Sequence, residues 1–123
     1  MVTYNENITS IGIDIEFKDR VTRNLWRHLF SHKEEEYINS CSSPLETAAI
    51  FFSAKEAFYK MQFPVTGKVI EFKDAEIVLK GNRFVVSCTI NNEPFFDNIF
   101  TGDFFVTDNH VFTIIHLAKV QCG

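Results

Sequence analysis

The chain has 123 residues, 46% of them apolar and 14 of them phenylalanine, which is enough for one domain with one well-packed core. Its formal net charge of −4 argues against nucleic acid or an anionic membrane as the main partner. No apolar run approaches the length of a membrane span, and the first residues lack the basic and apolar segments of a signal peptide. We therefore expect a single domain over residues 1–123, located in the cytoplasm.

The three cysteines, Cys41, Cys88 and Cys122, are widely spaced and show neither CxxC nor CxxH patterns. An odd, unpatterned set is typical of reduced thiols in a cytosolic protein. We expect neither a disulfide nor a zinc site.

The first predicted element is an isoleucine-rich strand over residues 8–17. Alternation along a strand places two sets of side chains on opposite faces, Ile11, Ile13 and Ile15 on one and Gly12, Asp14 and Glu16 on the other. We expect the isoleucine face to be core and the acidic face, which contains a glycine, to be open to a ligand.

Helical segments are expected next, beginning with a short turn around residues 22–29. Residues 31–34 and 43–46 each fit the S-x-x-E capping box, in which a serine hydroxyl and a glutamate satisfy the first backbone amides. Pro44 suits the first helical position, where its missing N–H costs nothing. A long helix from residue 44 to about residue 61 follows, and Pro64 and Gly67 are expected to end the helical region.

The second half of the chain predicts strands over residues 69–79, 83–90, 95–106 and 111–118. Turn dipeptides separate these runs, namely Gly81-Asn82, Asn91-Asn92 and Asp108-Asn109. The expected fold class is therefore α+β, with an antiparallel sheet packed on the long helix.

Two segments carry candidate site residues. Asp14 and Glu16 leave the same face of the strand, and a shared cation such as Mg²⁺ would relieve the repulsion between their carboxylates. Glu56 and Lys60 share a face of the long helix, with Lys55 about 100° around it. If the helix packs beside the strand, Glu56 completes a three-carboxylate site and both lysines are placed for phosphate oxygens. The alternative is a solvated strand end and an ordinary surface pair.

The same segments resemble the two signature blocks of the 4′-phosphopantetheinyl transferases. The first block is Gly12-Ile13-Asp14-Ile15-Glu16, and the second runs from Phe52 to Lys60 around Lys55-Glu56. Residues 30–34 also resemble the F-S-x-x-E stretch that these proteins often carry between the blocks. In length the chain is similar to the holo-acyl-carrier-protein-synthase type, and in sequence it resembles the second half of Sfp-type and enterobactin-synthetase-type members.

The resemblance implies a Mg²⁺-dependent transfer of the phosphopantetheine arm of coenzyme A to a serine of an acyl or peptidyl carrier protein, with release of 3′,5′-ADP. Asp14, Glu16 and Glu56 would bind Mg²⁺ at the pyrophosphate, and Lys55 and Lys60 would hold the phosphates. Glu56 and Lys60 would be the catalytic residues, with Glu56 deprotonating the serine directly or through a metal-bound water. A metal and a lysine beside Glu56 would lower its pKa, which favours the water-mediated route.

The chain departs from the family pattern in two ways. It lacks the first half of the Sfp-type enzymes and the Ser-His-[ST] segment of the short type. The resemblance therefore implies that the site is completed in one of two ways. The chain forms a homo-oligomer, as a dimer or a trimer, or it binds a complementary half. The alternative is a non-catalytic CoA- or metal-binding relic, or a partner subunit. Five phenylalanines between residues 95 and 105 favour an apolar surface that binds a partner.

Overall fold

The computed structural model describes residues 8–90 and 93–118. Its strands are β1 (Ile8–Phe17), β2 (Ala75–Lys80), β3 (Arg83–Cys88), β4 (Phe100–Val106) and β5 (His110–Ala118). Its helices are α1 (Trp26–Leu29), α2 (His32–Ser40) and α3 (Pro44–Thr66). The strands pair antiparallel in the order β1-β5-β4-β3-β2, and α3 packs across one face of the sheet. The predicted α+β class is confirmed.

The core lies between α3 and the inner face of the sheet, and its largest members are aromatic. Among the fully buried side chains are Phe30, Phe51, Phe58, Phe84 and Phe96. Cys41 and Cys88 are free thiols, as the spacing predicted, whereas Cys122 lies outside the described residues. Within those residues, we find no helix with the length and apolar character that crossing a bilayer requires.

One of the two predicted capping boxes forms. At the start of α2, the Ser31 hydroxyl accepts a hydrogen bond from the Glu34 amide at 3.2 Å, and the Glu34 carboxylate accepts one from the Ser31 amide at 2.8 Å. At the start of α3, Ser43 makes no side-chain cap bond. Glu46 instead pairs with Lys18 at 3.2 Å, so the predicted second box is wrong.

The end of α3 lies a turn beyond the predicted end near residue 61. Pro64 is inside the last turn and does not stop the helix. Gly67 does end it, because its φ of 68° is a left-handed conformation that glycine adopts without strain. The Gly67 amide closes the helix by donating to the Phe63 carbonyl at 2.8 Å.

The four predicted strands of the second half are present, and all but the last are shorter than the sequence pattern. Short 3₁₀ turns at Phe72–Asp74 and Pro94–Asp97 occupy parts of two predicted strands. Gly81, at φ 64°, makes the expected tight turn between β2 and β3. The predicted Asn91-Asn92 turn lies outside the described residues.

The two faces of β1 are the reverse of the prediction. Ile11, Ile13 and Ile15 are 49%, 50% and 54% exposed, whereas Gly12 and Asp14 are buried beneath α3. The reason is the close approach of the helix at Gly12, where a Cβ atom would lie 1.9 Å from the Ala57 carbonyl oxygen. A side chain at that position would push the helix away. The glycine therefore brings α3 onto the acidic face, and the isoleucines are left outside.

Candidate functional site

Packing of α3 on β1 brings three carboxylates from the two elements together. One oxygen each from Asp14, Glu16 and Glu56 can be chosen so that all three lie within 4.8 Å of one another. Asp14 is buried, and the other two are partly exposed. The predicted convergence of Glu56 on the acidic pair is thus present in the structure. Oxygen-rich clusters of this size suit hard divalent cations such as Mg²⁺.

Asp14 has one occupied and one open carboxylate oxygen. Its Oδ1 accepts a hydrogen bond from Lys60 Nζ at 2.9 Å, and the same ammonium donates to the Ile13 carbonyl at 3.1 Å. Its Oδ2 is buried and has no hydrogen-bond partner among the described residues. A buried carboxylate oxygen left unpaired is costly, so this atom favours a bound cation. The residues present therefore fit a divalent metal.

The acid–base state of the cluster supports the same conclusion. Burial, and then the neighbouring Asp14, raises the pKa of Glu16 to about 7. Burial and Asp14 also raise the pKa of Glu56, although Lys60 and Arg20 oppose the shift. Burial therefore outweighs the lysine at Glu56, and the lowering expected from a metal together with the lysine stays a prediction. Three crowded carboxylates resist full ionisation until a cation joins them.

Arg20 is a member of this site that the motif analysis missed. Its Nε lies 3.5 Å from Glu16 Oε1, and its guanidinium carbon lies 5.6 Å from the centre of the Phe52 ring. The spacing of four residues from Glu16 was the available signal. That spacing is typical of a helix pair, whereas here the chain leaves a strand and turns, so only the structure shows the contact.

Lys55 lies apart from the acidic cluster despite its place beside Glu56 in the chain. It is 2% exposed, and its ammonium donates to Glu34 at 2.9 Å and to the carbonyls of Phe72 and Ala75 at 2.7 and 2.6 Å. A lysine has three N–H donors, and all three are used. This placement corrects the picture of two lysines facing a ligand, and it does not support the predicted contact of Lys55 with phosphate.

Glu34 explains why Lys55 is buried. Besides Lys55 and the Ser31 amide, its carboxylate accepts a hydrogen bond from the Ile77 amide at 2.7 Å. One side chain thereby joins α2, α3 and the edge strand β2. The serine and glutamate of the F-S-x-x-E stretch are therefore structural in this chain. Both form the cap at the start of α2, and the glutamate also forms the buried ion pair with Lys55.

A cavity of about 140 Å³ opens beside Glu56, between α3 and the segment that leads into β2. Its lining residues are Lys55, Glu56, Tyr59, Ile70, Glu71, Phe72 and Ala75. Because the Lys55 donors are already used, the cavity is suited to a mainly uncharged group next to the carboxylates.

The family model of the 4′-phosphopantetheinyl transferase superfamily matches residues 10–115, which include both motif segments and nearly all of the sheet. The holo-[acyl-carrier-protein] synthase of Chlamydia caviae is 35% identical over 75 residues, 55% of this chain and 62% of that protein. The 4′-phosphopantetheinyl transferase Npt of Nocardia iowensis is 29% identical over 79 residues, 64% of this chain and 36% of that protein. The chain thus spans less than two thirds of the length of either relative.

Solved structures share the fold. The holo-[acyl-carrier-protein] synthase of Thermotoga maritima has a TM-score of 0.70 at 20% identity, over 93% of this chain and 66% of that one. An apo-ACPS structure from Chronobacterium ammoiniagenes has a TM-score of 0.71 at 16% identity, over 91% and 97%. The Bacillus anthracis holo-(acyl-carrier-protein) synthase, in complex with CoA (3′,5′-ADP), has a TM-score of 0.62 at 19% identity, over 93% and 99%.

Proposed function

Because the chain belongs to the 4′-phosphopantetheinyl transferase superfamily, we propose that it transfers the 4′-phosphopantetheine arm of coenzyme A to a serine of a carrier protein. The serine oxygen forms a bond to the phosphorus that bears the arm, and the pyrophosphate bond to that phosphorus breaks. The products are the modified carrier and 3′,5′-ADP. We place this reaction in the cytoplasm, where the free thiols of Cys41 and Cys88 would stay reduced.

The observation that carries the proposal is the convergence of Asp14, Glu16 and Glu56, with the open Oδ2 of Asp14 among them. These residues would hold Mg²⁺, which supplies charge stabilisation to the pyrophosphate oxygens when bound. Glu56 would accept the serine proton, directly or through a water molecule. Its carboxylate is partly exposed, so a serine hydroxyl or a water molecule can reach it.

Lys60 is the proposed cationic partner of the phosphates. Its side chain is 51% exposed while it bonds to Asp14, so its ammonium borders both the cluster and solvent. A cation at this position can offset the negative charge that develops on the departing 3′,5′-ADP. The cavity beside Glu56 offers room for part of the co-substrate next to the reacting phosphates.

The test is a mass-spectrometric assay of apo-carrier proteins with CoA, Mg²⁺ and this chain alone. A Mg²⁺-dependent gain of about 340 Da on the carrier is expected for a metal-assisted transfer of the arm. Glu56→Gln should abolish the gain, whereas Asp19→Asn should retain it, because Asp19 is an exposed carboxylate outside the cluster. CoA binding without any gain would contradict the enzyme and support a non-catalytic relic or a subunit that needs a second half.

We also propose that the chain self-associates, as a dimer or trimer, through the outer face of β1, β4 and β5. Ile11, Ile13, Ile15 and Phe17 are 49–59% exposed there, and Phe105 on β4 is 57% exposed. An apolar face of this kind usually marks a protein interface. Size exclusion with light scattering should show an oligomer that Ile13→Glu dissociates. A wild-type monomer at micromolar concentration would contradict the proposal.

A further inference from the structure

Arg20 is a cation at the edge of the acidic cluster for which the proposed reaction has no role yet. Its side chain is 53% exposed, while that of Glu16 is 14% exposed. The flat guanidinium lies over Phe52, a residue of α3 one turn before Glu56. This packing keeps the charge beside the cluster even when its contact with Glu16 is broken.

The two cations of the site hold their carboxylates differently. Lys60 binds Asp14 at 2.9 Å and is also fixed by the Ile13 carbonyl. Arg20 lies 3.5 Å from Glu16, which is longer than the usual 2.7–2.9 Å of a strong charged hydrogen bond. Two positive charges face three carboxylates, so the cluster can still attract a divalent cation. The Arg20–Glu16 contact is the weaker of the two and is the one that a cation would replace.

We propose that Arg20 is a co-substrate-binding residue that pairs with Glu16 until a divalent cation binds, gives up that contact to the cation, and then donates hydrogen bonds to phosphate oxygens of the co-substrate. The inference rests on the proposed cation site at Asp14, Glu16 and Glu56. Exchange of this kind limits carboxylate repulsion in the empty site. It also keeps a planar donor, which suits phosphate geometry, at the edge of the site.

The exchange of Arg20 for a cation at Glu16 is tested by titrating the chain with Mg²⁺ in a calorimeter at low ionic strength, without CoA or carrier. We choose pH 8.5, above the pKa of about 7 for Glu16, so that protonation of this carboxylate does not compete. Arg20→Gln removes a competing positive charge and should bind Mg²⁺ about threefold to tenfold more tightly. Arg20→Lys, which keeps the charge, should stay near the wild-type affinity.

A matched control and a double-mutant cycle separate this effect from a structural one. Arg23→Gln changes a nearby arginine that instead packs over Trp26 and bonds to Asn39, so its Mg²⁺ affinity should equal wild type. In a Glu16→Gln background, Arg20→Gln should tighten Mg²⁺ binding much less, because the direct partner is gone and only the weaker charge effect of Arg20 on Glu56 remains. A gain that is undiminished without Glu16 would overturn the exchange.

The contact of Arg20 with phosphate is tested by measuring 3′,5′-ADP affinity at saturating Mg²⁺. Arg20→Gln should weaken binding about threefold to tenfold, opposite in sign to its effect on Mg²⁺. An unchanged or weaker Mg²⁺ affinity in Arg20→Gln overturns the competition, and an unchanged 3′,5′-ADP affinity overturns the phosphate role. Absence of Mg²⁺ binding by every variant would overturn this inference together with the cation site. Normal Mg²⁺ binding with no transfer to carrier would overturn the transfer alone.

Discussion

Two lysines of one helix, Lys55 and Lys60, form ion pairs that differ in almost every physical respect. The Lys55–Glu34 pair has both side chains 1% exposed, and all three ammonium donors are used inside the protein. The Lys60–Asp14 pair has a lysine that is 51% exposed and an aspartate with one buried oxygen that no described residue pairs with. The first pair is closed to ligands, and the second is open to one.

The difference teaches that a motif of charged residues does not assign one role to all of them. A five-residue step turns a helix through about 500°, so Lys55 and Lys60 leave α3 about 140° apart. Lys55 therefore points toward α2 and β2, and Lys60 points toward β1. We expect substitutions at the closed pair to change mainly the free energy of unfolding, and substitutions at the open pair to change mainly binding and transfer.

The largest effect is expected from Glu34→Ala. This change strands a buried ammonium and removes the acceptor of two backbone amides, and it should lower the free energy of unfolding by about 3–5 kcal/mol. Urea unfolding followed by circular dichroism measures the loss. The double change Glu34→Gln with Lys55→Met should recover part of it, because neither charge is then left unpaired.

A matched surface pair provides the control for that experiment. Glu46→Ala breaks the Lys18–Glu46 pair, whose side chains are 30% and 34% exposed, and should cost less than about 1 kcal/mol. Equal losses for Glu34→Ala and Glu46→Ala would contradict the structural role of the closed pair.

Lys60→Met should reduce transfer activity strongly and the free energy of unfolding only modestly. With the proposed phosphate cation removed, kcat/KM for transfer to the carrier should fall about 100-fold, by analogy with the loss of one charge-stabilising donor. The free energy of unfolding should fall by less than in Glu34→Ala. Lys60→Met leaves one oxygen of Asp14 and the Ile13 carbonyl without a donor, whereas Glu34→Ala strands a fully buried ammonium and two backbone amides. Lys68→Met, which alters an exposed lysine 4.0 Å from Glu93, should leave both quantities near wild type. If kcat/KM for transfer falls only as much as the loss of folded protein explains, Lys60 has a structural role like that of Lys55.

Much of the fold and of the carboxylate cluster could be predicted from the sequence, but the burial of Lys55 away from that cluster could not. The long helix and the α+β class could be predicted, because helix starts and strand alternation are local patterns. The meeting of Asp14, Glu16 and Glu56 was predicted only on the condition that the helix packs beside the strand, and from the family resemblance. The face of β1 that would be buried was predicted wrongly, since hydrophobicity favours the isoleucines and only the backbone approach at Gly12 decides otherwise.

The contacts of Lys55 could not be predicted from local sequence patterns either. Glu34 is 21 positions away in sequence, and the carbonyls of Phe72 and Ala75 belong to a segment for which strand had been predicted. Burial of a lysine depends on such long-range contacts, which spacing along one helix does not contain. Arg20 was missed for the same reason, because its contact with Glu16 depends on how the chain turns after β1.

The last expected effect is a pH dependence confined to the cluster of Asp14, Glu16 and Glu56. The pKa of Glu16 is raised from 4.5 to about 7, so between these pH values Glu16 holds a proton in the folded state that it has lost in the unfolded state. Its contribution to stability is therefore greatest below pH 4.5, declines between pH 4.5 and 7, and is constant above that range.

Mg²⁺ binding should show the converse trend, because a cation requires the ionised carboxylate. Below pH 7 each fall of one pH unit should weaken Mg²⁺ binding by up to about tenfold, with little change between pH 8 and 9. Calorimetric titrations at pH 6, 7, 8 and 9 measure this, and Glu16→Gln should remove most of the dependence while Glu46→Gln keeps it. A profile unchanged by Glu16→Gln would show that Glu16 is not the proton-linked member of the cluster. The contrast between the closed and open pairs would then depend on Lys60 and Asp14 alone.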